Sequence, residues 1–202
     1  MVGHLWNIDE DLAERVRVGL GLDAMPPAPE PARPVQELPA SPALSLVANM
    51  KDTLEGRAIG ILMDEGSDAA AIEAISTAAK AEGAAVKLIA PRVGGAVLSD
   101  GSRMPADAQL AGSPSVLFDA VAVVLSAEAG EKLALESAAV QFVKDAFVHL
   151  KAIAFDEGAR ALLDMAGIEH DQAVLPASDT AGFIGMAKTR QWDREPKVRT
   201  LP

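Results

Sequence analysis

The residues of this 202-residue chain best equipped for chemistry are carboxylates, and two groups of them carry the same tripeptide. Asp64-Glu65-Gly66, with Asp68 close behind, and Asp156-Glu157-Gly158 each follow a short apolar run and precede a helical pattern. If the two preceding strands are neighbours, Asp64, Glu65, Asp68, Asp156 and Glu157 form one patch of hard oxygens suited to Mg²⁺ or Ca²⁺. A simpler reading is favoured, because acidic side chains at helix N-termini cap free N–H groups and complement the helix dipole without any ligand. No metal or catalytic residue is therefore assigned. Asp156 also stands at a strand-to-helix turn, where a nucleophile would be well exposed. A carboxylate nucleophile needs a neighbouring acid or metal, and no histidine is expected at that edge. Ser126 lacks a base and reads as a turn serine. His4, His149 and His170 are too scattered for a metal-binding spacing. His149 reads as a helix-end or surface residue and His170 as a solvated loop residue.

Composition removes other chemistries. Cys and Tyr are both absent, which excludes disulfides, thiolate metal sites, cysteine nucleophiles and one haem ligand type. With five Phe and two Trp, few rings are available to stack on bases or flavins. The net charge of −11 repels phosphate backbones, so nucleic acid is not expected as a partner. There is no apolar stretch of membrane-spanning length and no basic-then-apolar leader, so the chain reads as cytoplasmic, with no membrane partner. At DEGSD, residues 64–68, negative charge stands where a flavin phosphate would sit, and VAVVL ends at Ser126-Ala127-Glu128 without the carboxylate that a receiver-type phosphoacceptor needs.

The positioning elements follow from periodicity. Leu5, Ile8, Leu12, Val16 and Leu20 predict one short amphipathic helix, capped by Asn7 or Asp9 and stopped near Gly19 or Gly21. Seven of the thirteen prolines fall between Met25 and Pro42, a run that supports neither helix nor sheet and reads as a semi-rigid linker. Beyond it, β-α units alternate: strands are expected over 58–63, 85–90, 121–125 and 152–155, with a short edge strand at 174–175. Helices follow after Ser67 or Asp68, through Val140 to Leu150, over 159–166 and over 177–188; the tail from Arg190 is expected to be irregular. Asp100-Gly101 between two extended stretches predicts an inserted hairpin. The result is an α/β domain, a doubly wound and mainly parallel sheet with helices on both faces. It spans 51–202, after a helix over 1–24 and a linker over 25–50. Trp6 and Trp192 lie outside this core, either as contact surfaces or as covers for their own edges.

Three stretches then carry a resemblance: NIDEDLAERV with GLGL, the run SDGSRMPADAQLAGSPSVLFDAVAVV, and the terminal R-Q-W-D-R-E, residues 190–195. In this order they resemble large-subunit haem catalases, the first segment like the last helix of the catalytic body and the rest like their C-terminal domain. That domain is flavodoxin-like and similar to the DJ-1/PfpI and class I glutamine amidotransferase superfamily. The resemblance implies that Asp156 occupies the place of the superfamily's nucleophilic Cys, Glu157 that of its adjacent His, and Asp68 a position near its acid. For the parent protein it implies hydrogen peroxide decomposition at a Tyr-ligated haem in a homotetramer, with the catalytic body upstream of Met1. The chain itself is then expected to hold no cofactor and to serve folding, assembly or stability, its partners being the catalase body and the other subunits. Two rival expectations are a stand-alone DJ-1/PfpI-like hydrolase or metal-binding domain using the acidic strand ends, and a chaperone-like protein-binding module.

Overall fold

The computed structural model describes residues 1–198 and divides into two compact units, Met1–Asn49 and the chain from Met50 onward. In the first unit the predicted single helix is two: α1, Val2–Trp6, and α2, Glu10–Gly19. The apolar spacing runs unbroken through the junction, but Asp9 adopts an extended backbone and accepts the Leu12 amide at 2.8 Å, which starts a new helix. The proline run follows without a helix or strand until a 3₁₀ turn at Pro42–Leu44. It passes so close to α1 that a Cβ on Gly3 would lie 2.4 Å from the Pro27 carbonyl oxygen.

The second unit is built on a six-stranded sheet. Its strands are β1 (Ala58–Met63), β2 (Ala85–Ala90), β5 (Ala108–Gln109), β6 (Ala120–Val124), β7 (Ile153–Phe155) and β8 (Val174–Pro176). Their order is β5-β2-β1-β6-β7-β8, every pairing parallel. The inserted hairpin is β3 (Ala96–Val97) against β4 (Arg103–Met104), turning at Gly101, whose φ is +82°. Edge strand β5 escapes sequence reading because two residues carry no periodicity. The helices are α3 (Ala69–Ala81), α4 (Ala127–Leu133), α5 (Ser137–Val148), α6 (Arg160–Met165), α7 (Thr180–Ala187) and α8 (Glu195–Val198). The helix expected over 159–166 opens as a 3₁₀ turn at Glu157–Ala159, and the one expected over 177–188 starts only at Thr180, where Asp179 accepts the Gly182 amide.

Alternation along the strands divides the core between two faces. Ile59, Ile61 and Met63 pack with Ile72 and Ile75 of α3 and Phe183 of α7. Leu62, Val121 and Val123 pack on the opposite side with Phe142 and Phe147 of α5 and Leu162 of α6. Both faces of β6 are buried, which is why its sequence is a continuous apolar run.

The tail is more regular than expected: Trp192–Arg194 is a 3₁₀ turn leading into α8. Its anchor is the buried guanidinium of Arg194. Asp171 accepts from it at 2.7 and 2.9 Å, the carbonyls of Phe147 and Lys151 at 3.1 and 3.0 Å, and it stacks 4.1 Å from the Phe147 ring centroid. The remainder of that tail, 199–202, lies outside the described residues.

Candidate functional site

In an open parallel sheet, the ligand crevice forms where strand order reverses, here between the carboxyl ends of β1 and β6. The side chains at this point are engaged within the protein, mostly by backbone groups. The single proton of the buried Ser67 hydroxyl is shared between the carbonyls of Val124 at 2.6 Å and Asp64 at 2.7 Å, and its oxygen accepts the Asp64 amide at 2.9 Å. Ser126 donates to the Glu65 carbonyl at 2.7 Å and accepts the Ala129 amide, so it is both a tie across the crevice and the cap of α4. Asp64, 7 % exposed, accepts Lys132 of α4 at 2.9 Å. Glu65 takes the Val97 amide at 2.8 Å, and the hairpin pins this turn further through Gly66 and Ser99 amides. A recess of only about 140 Å³ remains beside Asp64, Glu65 and Lys132.

Asp156, Glu157 and Asp68 lie elsewhere. Strand β6 stands between β1 and β7, so the condition set for a single five-carboxylate patch is not met. Asp156, Glu157 and Asp68 instead border a cleft of about 530 Å³ that has Phe155, Ala71 and Ala177 on its walls. Asp68 caps α3 by accepting the amides of Ala70 and Ala71. Asp156 turns its carboxylate inward and accepts the Leu125 amide at 3.0 Å and the Ala159 amide at 3.1 Å. Its backbone is extended, at φ −99°, and not in the left-handed strain of a sharp nucleophile turn, and its side chain is half-buried at the cleft border. Burial pushes the Asp156 carboxyl up, and the two amides only partly offset it. Glu157 is held low by a forked hydrogen bond from Arg160 at 2.6 and 2.9 Å.

A histidine does reach this edge, contrary to expectation: the His170 ring lies 5.2 Å from the Phe155 ring, with Arg160 5.8 Å from the same ring. The spacing of Glu157 and Arg160, three apart, was readable from the sequence. Lys132 meets Asp64 from 68 residues away and His170 meets Phe155 through the fold, so neither had a local sign.

Among the described residues, no group of three or more His, Asp or Glu is placed to hold a metal, and no helix is long and apolar enough to cross a membrane. Haem does not fit this chain either. It has no Tyr or Cys, its three histidines are exposed, and the larger cleft offers carboxylates where an iron porphyrin needs a ligand on an apolar slot.

Comparison with known proteins agrees with this architecture. The family described as the C-terminal domain found in long catalases matches residues 55–196. Catalase C of Rhizobium meliloti (strain 1021) is 43% identical over 98% of this chain, but over only 29% of its own length. Catalase HPII of Mycobacterium avium is 33% identical over 96% of this chain and 30% of its own, and that of Pseudomonas aeruginosa is 30% identical over 98% and 28%. The chain thus spans less than a third of these relatives. Among solved structures, oxidized DJ-1 of Toxoplasma gondii superposes with a TM-score of 0.55 at 13% identity, covering 70% of this chain and 95% of that one. A two-domain protein of Anabaena variabilis, containing DJ-1/ThiJ/PfpI-like and ferritin-like domains, gives 0.52 at 19% identity, covering 57% and 35%. These structural likenesses establish the fold alone.

Proposed function

Because this chain belongs to the family of C-terminal domains found in long catalases, we propose that it is a non-catalytic module of a haem catalase that decomposes hydrogen peroxide under oxidative stress. Its work is folding, assembly or stabilisation of a cytoplasmic homotetramer, and its partners are the catalase body and the other subunits. The observation that carries this reading is the state of Asp156. At the position that the resemblance gives to the superfamily's nucleophile, the carboxylate is committed to two backbone amides, and its neighbour Glu157 is committed to Arg160. Both border the larger cleft with their oxygens already engaged by protein donors. The strand-end crevice is likewise filled by hydrogen bonds within the protein.

Two measurements test the proposal. The purified chain, mixed with haem, is expected to show no Soret band and no oxygen release from peroxide; turnover by the chain alone would end the non-catalytic reading. Deleting the segment equivalent to residues 50–202 from the parent catalase is expected to leave haem chemistry in whatever tetramer survives, while lowering its yield or its inactivation temperature. Unchanged yield, subunit number and heat resistance would remove the structural role.

A further inference from the structure

Lys151, between α5 and β7, is 3 % exposed, and among the described residues its ammonium has one hydrogen-bond acceptor, the Ser115 carbonyl at 2.6 Å. Two of its three N–H donors are left over. The hydroxyl of the same Ser115, four covalent bonds from that carbonyl oxygen, is fully buried and has no partner among the described residues. The ammonium lies against the backbone of the residue that carries the hydroxyl, so the spare donors of two side chains are neighbours in one buried region. The charged groups that face Lys151 are Arg190, Asp119 and Asp145, and both carboxylates are engaged. Asp119 accepts Arg190 and the Ala58 amide, and Asp145 accepts Gln141. A buried ammonium without a counter-ion in contact is costly, and so is an orphaned hydroxyl. Water would satisfy the hydrogen bonds but leave the charge; an acceptor that is itself negative satisfies both.

We propose that a small monovalent anion of chloride size binds here, held by the spare N–H groups of Lys151 and the hydroxyl of Ser115. Val116 and Leu117, next in sequence to Ser115, are 49 % and 62 % exposed, so the segment that carries the site runs along the surface.

The test is thermal unfolding of the full chain at neutral pH and fixed ionic strength, exchanging sodium gluconate for sodium chloride. Tm is expected to rise by about 4 °C once chloride stands tenfold above its Kd. Lys151→Met should abolish the rise and Ser115→Ala should reduce it. Chloride-35 NMR on wild type and the milder Ser115→Ala variant covers the case in which Lys151→Met does not fold: the wild type should broaden the chloride line more than the variant. Equal Tm values in the two salts for wild type would mean a bound water and overturn the proposal. So would a chloride-dependent rise retained in Lys151→Met, or equal line widths for wild type and Ser115→Ala.

Discussion

Asp156 shows how one carboxylate can be assigned by its hydrogen bonds. Its two oxygens are the acceptors for the Leu125 and Ala159 amides, which join the end of β6 to the turn after β7. Asp156→Ala would strand both amides and is expected to cost about 1–3 kcal/mol in urea unfolding, with Asp156→Asn costing less because one acceptor remains. Equal stability of wild type and Asp156→Ala would show that water replaces the carboxylate without loss. Lys151 makes a prediction about pH. Burial, then the Arg190 charge, pushes its ammonium down to about 8 from 10.5. A cation lowered in the folded state contributes stability that is fully present above the unfolded value and is lost as pH falls through the folded one. Wild type should therefore gain stability relative to Lys151→Met between pH 8 and 10.5 in urea titrations, and parallel curves would contradict this assignment. The caps at Asp68 and Asp156 could be read from the sequence, because an acid before a helix bonds to amides two or three residues on. The ties of Ser67 to Val124 and of Lys132 to Asp64 could not, since those partners lie 57 and 68 residues away.

Elements were legible where burial imposed a period and obscure where a single tertiary contact decided. The strands over 58–63 and 85–90 and the hairpin at Asp100-Gly101 stand where their patterns put them. The N-terminal helix divides because one cap overrides an uninterrupted apolar spacing, and the tail gains order from Arg194, whose partners lie 23 to 47 residues away. Removing that guanidinium would leave Asp171 without its cation and two carbonyls without their donor. Arg194→Met is expected to destabilise by about 3–5 kcal/mol and to accelerate amide exchange over 191–198 before other segments. Exchange unchanged over the tail would deny Arg194 its anchoring role. Helix α4 rests on the turn after β7 through two glycines, without intervening side chains. A Cβ on Gly130 would lie 1.9 Å from the Gly158 carbonyl oxygen, and one on Gly158 equally close to that of Leu125. Gly130→Ala should consequently lower Tm although the helix itself would favour alanine.

For the whole molecule, composition excluded more than it identified, and the family became visible only through the order of its sequence stretches. The absence of Tyr and Cys removed chemistries outright, whereas strand order, which separates Asp64 from Asp156, depends on how the crossovers stack and left no trace in any local pattern. Every residue from 30 to 44 is exposed, and no long helix or strand protects the segment. Subtilisin is expected to cut there first and leave a fragment beginning between residues 31 and 45 whose melting curve superimposes on that of the intact chain. A lowered Tm for that fragment would mean that the first unit supports the second. One hydroxyl at the sheet's reversal point has a longer reach, since Ser67 binds the ends of β1 and β6 to each other. A descendant recruiting this crevice for a new ligand would have to lose that serine before gaining any contact of its own. The opening step of such a history would register as damage, and selection would have to tolerate it before there was anything to reward.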